Sequence, residues 1–312
     1  MPMNSRHIIA EAWHFTRENK KLMWWFAFIP SVLTTLVGVF YFIYQYFSFK
    51  RSPLFDNAPQ SFLSEVISTA FGFLSEHGSL WLPTIIIVVV VVVLYLLLPT
   101  LMQASLIQVI AHKRKGHPIS MAEGFSLGIL AFLPFFEYSL LIKSFSVVSM
   151  FTEAGFAARN LGTGAMNFLL PIFILAAIIG LVLTLLFTYS EFFIVLEKKS
   201  VLRAMGRSAK LVILSWKHTF LIVILMAIIG LRIIINILAV LLVPALIFLA
   251  AGLLATLALA KIGILIGVIF GLVGLFVASY FTGILHVFAA AVWTFTFLEL
   301  MEEPRTQEAM GK

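Results

Sequence analysis

Between Thr219 and Leu298 the chain runs for 80 residues with only two charged side chains, Arg232 and Lys261. A soluble domain has no interior large enough to bury such a stretch, whereas a bilayer is crossed by about 20 apolar residues in one helix. The composition agrees, because 62% of the residues are hydrophobic and only 11% are charged, against about 25% charged in ordinary soluble domains. The sequence therefore predicts a polytopic membrane protein.

Six apolar segments are predicted to cross the membrane. Each has to be helical, because a lone strand leaves its backbone polar groups unpaired in lipid. The predicted spans are 22–47, 83–111, 125–151, 167–196, 219–257 and 263–298. Pro99 is expected to kink the second span and Pro134 to break the third. The predicted fold class is all-α: a polytopic transmembrane helical bundle of about six spans, forming a single integral membrane domain with amphipathic interfacial helices.

The distribution of Lys and Arg sets the expected orientation, because cytoplasmic connectors carry an excess of both. Four segments hold 15 basic residues between them, and two others hold three. The first four are 1–21, 112–123, 197–217 and 299–312, and the other two are 50–80 and 152–166. We therefore expect both termini in the cytoplasm and a multi-pass location in the cell membrane. Within 152–166, the Gly-x-Gly of ARNLGTGAMN predicts a turn that leads into the fourth span.

The segment 197–218, EKKSVLRAMGRSAKLVILSWKH, carries six Lys or Arg and one acid between two spans. At helical spacing its apolar residues share one face, namely Leu202, Met205, Ala209, Val212 and Trp216. Its cations Arg203, Arg207, Lys210 and Lys217 share a neighbouring face. This pattern is typical of an amphipathic helix in the membrane interface; a specific anion site is the alternative. The predicted contacts with anionic lipid are Lys198, Lys199, Arg203, Arg207 and Lys210.

Two further segments have amphipathic patterns. Residues 1–21 are predicted to form a cytoplasmic amphipathic helix, and residues 60–77 one on the outer surface. Both are expected to lie in the membrane interface, as predicted for 197–217.

The stretch VLEKKSVLRAMGRSAKLVILSW resembles a pattern of bacterial multi-span families, the YciC-like proteins and the membrane domain attached to some glycerophosphodiester phosphodiesterases. The resemblance rests on Glu197, Ala204, Arg207, Ser208, Leu211 and Trp216. AWHFTRENKKLMWWFAFIPS and GHPISMAEGFSLGILAFLP are similar to the opening and the middle connector of such proteins. The resemblance implies a bacterial inner-membrane protein and its topology, but no activity. The chain holds no phosphodiesterase catalytic domain.

The sequence contains no recognisable catalytic motif, and we predict no enzyme activity, cofactor or metal site. The two His of AHKRKGHP lie among cations, which repel a metal ion. Polar residues at membrane depth are the remaining candidates, because their burial is costly. These are Glu137, Glu191, Arg232 and Asn236. Arg232 and Asn236 share a helix face, and either glutamate is a possible partner for Arg232; an ordinary interhelical pair or snorkelling is the alternative.

Three functions remain open at this point. The first is a non-enzymatic membrane protein in envelope organisation, lipid interaction or partner binding. The second is a transporter or permease for a small solute, and the third is a lipid-modifying membrane enzyme that uses Glu191 and Glu197. The expected partner is the bilayer, with anionic headgroups on the cytoplasmic face. Nucleic acid is not expected, because the positive charge lies in short blocks between spans.

Overall fold

The computed structural model describes residues 5–50, 62–143, 147–231, 260–303 and 308. Every regular element within these ranges is a helix, which confirms the all-α prediction. The helices are α1 (Ser5–Glu18), α2 (Lys20–Leu22), a π-helical turn (Met23–Ala27), α3 (Phe28–Lys50), α4 (Phe62–Glu76), a 3₁₀ turn (Gly78–Leu80), α5 (Trp81–Arg114), α6 (Met121–Lys143), α7 (Val147–Leu186), α8 (Ser190–Val195), α9 (Val201–Leu214), α10 (Trp216–Leu231) and α11 (Ala260–Glu302).

Five helical stretches are long and apolar enough to cross a membrane. They are Lys20–Gly38, Gly78–Arg114, Met121–Ile142, Asn167–Leu186 and Gly271–Glu302. A sixth is added if α9 and α10, which are bent by 95° at their break, together form one span. The protein is therefore a multi-pass helical bundle, as predicted. Most of the predicted fifth span, 219–257, lies outside the described residues.

Two predicted interruptions are wrong. The segment 152–166 was expected to be a connector with a turn, but it lies inside the continuous helix α7. Its glycines cost helix stability only about 1 kcal/mol each, and the Ala, Leu and Met between them favour the helix. Pro134 was expected to break the third span, but α6 continues through it to Lys143. Proline is tolerated in membrane helices because neighbouring groups pair with the freed carbonyl.

The chain divides into two compact units. The first unit comprises Met1–Leu36, Met102–Gly128 and Ile213–Lys312, and the second comprises Val37–Leu101 and Ile129–Val212.

In the first unit α1 packs along α11. Ile8, Ala12 and Thr16 of α1 are buried, and the ring of Phe15 meets Phe295 edge-on with centroids 5.4 Å apart. α1 is amphipathic as predicted, and buried residues of its apolar face lie along α11. Residues of α11 cover that face. A helix of the same chain therefore buries the apolar side of α1.

The first unit also contains a close contact between α5 and α6. A Cβ atom placed on Gly128 would lie 2.8 Å from the backbone nitrogen of Ser105 and 2.9 Å from its Cα. Gly124, one turn earlier, faces the side chain of Val109 in the same way. Small residues four apart are the usual means by which membrane helices approach closely.

Candidate functional site

The basic helix α9 has one face that is built into the protein. Ala204, Ser208 and Leu211 follow one another at spacings of four and three, and all three are fully buried. These spacings place them on a single face of the helix. The second unit therefore holds α9 along this face, while Leu202 and Arg203, elsewhere on the helix, are exposed.

Ser208 connects α9 to a break in the preceding helix. α7 ends at Leu186 and α8 begins at Ser190, so the intervening turn interrupts the helical hydrogen-bond ladder. The backbone N–H of Tyr189 donates to Ser208 Oγ at 2.9 Å, and Ser208 Oγ–H donates to the Leu186 carbonyl at 2.8 Å. The two hydrogen bonds pair a donor and an acceptor that the break leaves unmatched.

A second side chain satisfies the same break from α6. The hydroxyl of Tyr138 donates to the carbonyl of Phe187 at 2.8 Å. With Ser208, this gives the turn three hydrogen bonds from side chains of the second unit. Broken helices in transporters leave backbone groups to bind substrate or ions. Here the Leu186 and Phe187 carbonyls and the Tyr189 N–H are already paired with side chains. The break therefore serves to attach α9 to the preceding helices.

An ion pair fixes the start of α9. Arg207 Nη1 lies 2.8 Å from Glu197 Oε2, and both side chains are half-buried. Between them in sequence, Lys198 has a positive φ of 53°, a conformation that ends helices and is usually taken by glycine. The pair therefore closes the sharp turn between α8 and α9. Glu197 acts here as the partner of a cation.

The exposed side of α9 carries two adjacent stripes. Leu202 and Ile213 are 79% and 65% exposed and define the apolar stripe, together with Met205 and Ala209, which lie between them on the same face. The cationic stripe consists of the exposed Arg203 and Lys210 with the half-buried Arg207. At 100° per residue the two stripes are neighbours, and both lie away from the buried face.

The predicted apolar face of α9 needs two corrections. Val212 was assigned to it, but Val212 is buried beside Leu211 and its place is taken by Ile213. Trp216 is exposed, but it begins α10, and the 95° bend ends the stripe before it. Sequence periodicity cannot separate an apolar residue on the packed face from one on the open face. Of the other predicted lipid contacts, Lys198 is exposed and Lys199 is half-buried.

The predicted intramembrane candidates are only partly brought together. Glu191 is half-buried in the first turn of α8 and lies near enough to Tyr138 to interact with it electrostatically. Glu137 is exposed on α6. Arg232 and Asn236 lie outside the described residues, so their pairing stays a prediction.

A charged cluster in the first unit was missed by sequence analysis. Arg114 at the end of α5 places Nη2 3.3 Å from Glu11 Oε2 and 3.6 Å from Glu299 Oε2. Its guanidinium carbon lies 4.2 Å from the centroid of the Phe295 ring, which is a cation–π geometry. The cluster joins α1, α5 and α11. No sequence signal could have found it, because the partners are 103 residues apart or more.

In the described part of the chain, no group of three His, Cys, Asp or Glu side chains has the arrangement of a metal site. The expectation that the protein uses no metal stays a prediction. The chain matches no family model, no curated protein and no solved structure.

Proposed function

We propose that this protein is a non-enzymatic integral membrane protein of the cell (inner) membrane that acts in envelope organisation through lipid or partner interaction. In this proposal α9 binds anionic lipid headgroups at the cytoplasmic surface, and both termini are cytoplasmic. One observation carries it: Ser208 holds the buried face of α9 and the Arg207–Glu197 pair holds its start, while an apolar stripe and a cationic stripe lie side by side on the rest of the helix.

Physical chemistry favours lipid as the partner of these stripes. The apolar stripe gains roughly 25 cal/mol for each Å² removed from water, and each cation near an anionic surface adds about 1 kcal/mol. Neither stripe alone selects a membrane surface. Together they match the boundary between acyl chains and charged headgroups.

The two alternatives have less support. Transport through the α7–α8 break would need free backbone groups there, and Ser208 and Tyr138 already pair with those described above. A lipid-modifying enzyme was expected to use Glu191 and Glu197, but Glu197 is held by Arg207. We also propose membership of the multi-span family that the 197–216 segment resembles. Support comes from Glu197, Arg207 and Ser208, three residues of that resemblance, which make the contacts that lock α9.

The lipid contact is tested on the full chain, which has no cysteine and so accepts a single label cleanly. An environment-sensitive fluorophore on Ile213→Cys should shift to an apolar environment in nanodiscs that contain phosphatidylglycerol. Replacing Arg203 and Lys210 by Gln, or raising the salt concentration, should weaken this response. A label on Ser68→Cys of α4 is the control and should not respond to headgroup charge. An Ile213 label that reports water in every lipid mixture contradicts the proposal.

Orientation has its own test with single cysteines in intact cells. Cysteines at Lys115 and Lys210, which are both exposed, should react only from the cytoplasmic side, and one at Asn57 should react from outside. Ser208 is unsuitable because it is buried. Labelling of Lys115→Cys from outside would reverse the proposed topology and contradict the cytoplasmic location of the α9 lipid contact, though not the contact itself.

A further inference from the structure

Four aromatic rings in the first unit form an open apolar surface, which we call the aromatic shelf: Trp24, Phe28, Phe276 and Tyr280. The ring centroid of Trp24 lies 4.7 Å from that of Phe28 and 5.9 Å from that of Tyr280. The Phe28 and Phe276 centroids are 5.4 Å apart. Although the rings touch one another, Trp24 and Phe276 are still 45% and 50% exposed. The shelf therefore offers exposed apolar surface to a further molecule.

The π-helical turn Met23–Ala27 holds the shelf in place. Its residues Met23, Phe26 and Ala27 are buried, and the turn packs on α11. Gly283 of α11 makes room for this contact, because a Cβ there would lie 3.3 Å from Met23 Cγ. A π turn is wider than an α turn and is often found at functional sites. In this one, Trp24 is directed outward from a firmly packed base.

Cations lie one helical turn before the shelf. Lys20 and Lys21 are exposed, four residues before Trp24 and Trp25. The Nζ atom of Lys113 donates to Oδ1 of Asn19, which precedes Lys20. The neighbouring acid, Glu18, lies 3.4 Å from His14 in an i, i+4 pair.

The position of Asn19 is itself fixed, which places the Lys113 ammonium at the start of α2. Asn19 Nδ2 donates to the carbonyl of Phe15 at 2.7 Å. The Lys113 ammonium also lies 5.9 Å from the Phe15 ring centroid. The Lys113 ammonium thus lies beside the residue that precedes Lys20 and Lys21 in the chain.

The spacing between the cations and the shelf is greater than the thickness of the headgroup region in one leaflet. Lys20 and Phe28 are eight residues apart, or about 12 Å along a helix. The headgroup region of one leaflet is about 5–7 Å thick. With Lys20 among the headgroups, Phe28 reaches the upper acyl chains. We propose that the aromatic shelf and these lysines bind one phospholipid with an anionic headgroup, its phosphate at Lys20, Lys21 and Lys113 and an acyl chain along the rings.

This site lies in the first unit and goes beyond the proposed contact of α9. The test uses the purified full chain in mild detergent with added phosphatidylglycerol or phosphatidylcholine, and native mass spectrometry counts the lipids retained. Wild type should retain phosphatidylglycerol preferentially. Lys20→Gln and Lys21→Gln should each weaken that retention on the order of fivefold, with phosphatidylcholine unchanged. Phe276→Ala should weaken the retention of both lipids.

Lys115→Gln is the matched control, because it removes one exposed cation of the same unit that the proposal does not place at the phosphate. It should leave retention as in wild type. Phe276→Leu covers the case in which Phe276→Ala fails to fold, and it too should reduce retention. Equal retention of the two lipids by wild type, or an equal loss in Lys115→Gln, would overturn the proposal. The Ile213 label on α9 should respond normally in Lys20→Gln, so that failure here and failure of the α9 proposal are distinguishable.

Discussion

The two halves of α5 both contain many apolar residues, and the surroundings of those residues are opposite. Nearly every residue from Leu82 to Leu97 is exposed, and Ile87 is 61% exposed. Beyond Pro99, every residue from Ala104 to Ala111 is buried, and Ile107 is fully buried. α7 and α8 differ in the same way, with an exposed apolar stretch from 172 to 182 and a buried one from 192 to 195. Hydropathy does not distinguish apolar residues on the exposed surface of the protein from those packed in its interior.

Helix length explains why both kinds are present. α5 has 34 residues and is about 51 Å long, whereas the hydrocarbon core of a bilayer is about 30 Å thick. The helix cannot lie wholly within the core. Its exposed half, about 24 Å from Leu82 to Leu97, suits contact with lipid. The buried half contributes to a packed protein core at one end of the span.

The largest expected difference comes from one substitution made in each half of α5. Ile107→Ala should lower the free energy of unfolding by about 2–5 kcal/mol, because it leaves a cavity among packed side chains. Ile87→Ala should change it by about 0.5 kcal/mol or less, because it removes no packed contact. Denaturation by SDS, followed by fluorescence, measures both. Similar losses at the two positions would mean that protein also covers the exposed half, for example in an oligomer.

A second pair of variants tests whether the buried half of α5 needs its close contact with α6. Gly128→Ala should cost about 1–3 kcal/mol, because the new methyl group meets the backbone of Ser105 and the helices have to separate. Gly164→Ala in α7 is the control, since nothing lies within 4 Å of its added Cβ. It should raise stability by up to about 1 kcal/mol, from helix propensity alone. A neutral Gly128→Ala would show that α5 and α6 do not need this close contact.

The third prediction concerns the break between α7, with its exposed apolar stretch, and α8, whose apolar residues are buried. Ser208→Ala should cost about 1–2 kcal/mol, because it leaves the Tyr189 N–H and the Leu186 carbonyl without their partner. Ser68→Ala in α4, where the hydroxyl bonds within an exposed helix, should change stability by less than about 0.5 kcal/mol. Thermal melts in one detergent compare the two. If the losses are equal, Ser208 is not what holds the break.

Sequence patterns predicted the features that one segment determines by itself. The apolar runs predicted helices, because lipid requires backbone pairing within the segment, and the alternation in 197–217 predicted an amphipathic helix. Features that need a distant partner were not predictable. Ile87 and Ile107 are the same residue type in the same helix, and it is tertiary packing that buries Ile107. Likewise, Arg114 is one of several cations in its segment, and only the fold brings Glu11 and Glu299 to it.

The smallest effect is expected from Glu197, whose carboxylate pairs with Arg207 near the protein surface. Both side chains keep about a third of their exposure or somewhat less, so water and salt screen the attraction. Glu197→Gln should therefore lower the free energy of unfolding by only about 0.5–1 kcal/mol, and the difference from wild type should shrink as salt rises. A double-mutant cycle with Arg207→Gln isolates the coupling between the two groups. Coupling near zero would leave Ser208 as the contact that fixes α9, whereas coupling of several kcal/mol would mean that the pair is much less accessible to water than its exposure indicates. Neither result changes the cations at Arg203 and Lys210, so the lipid response of an Ile213 label should persist in Glu197→Gln.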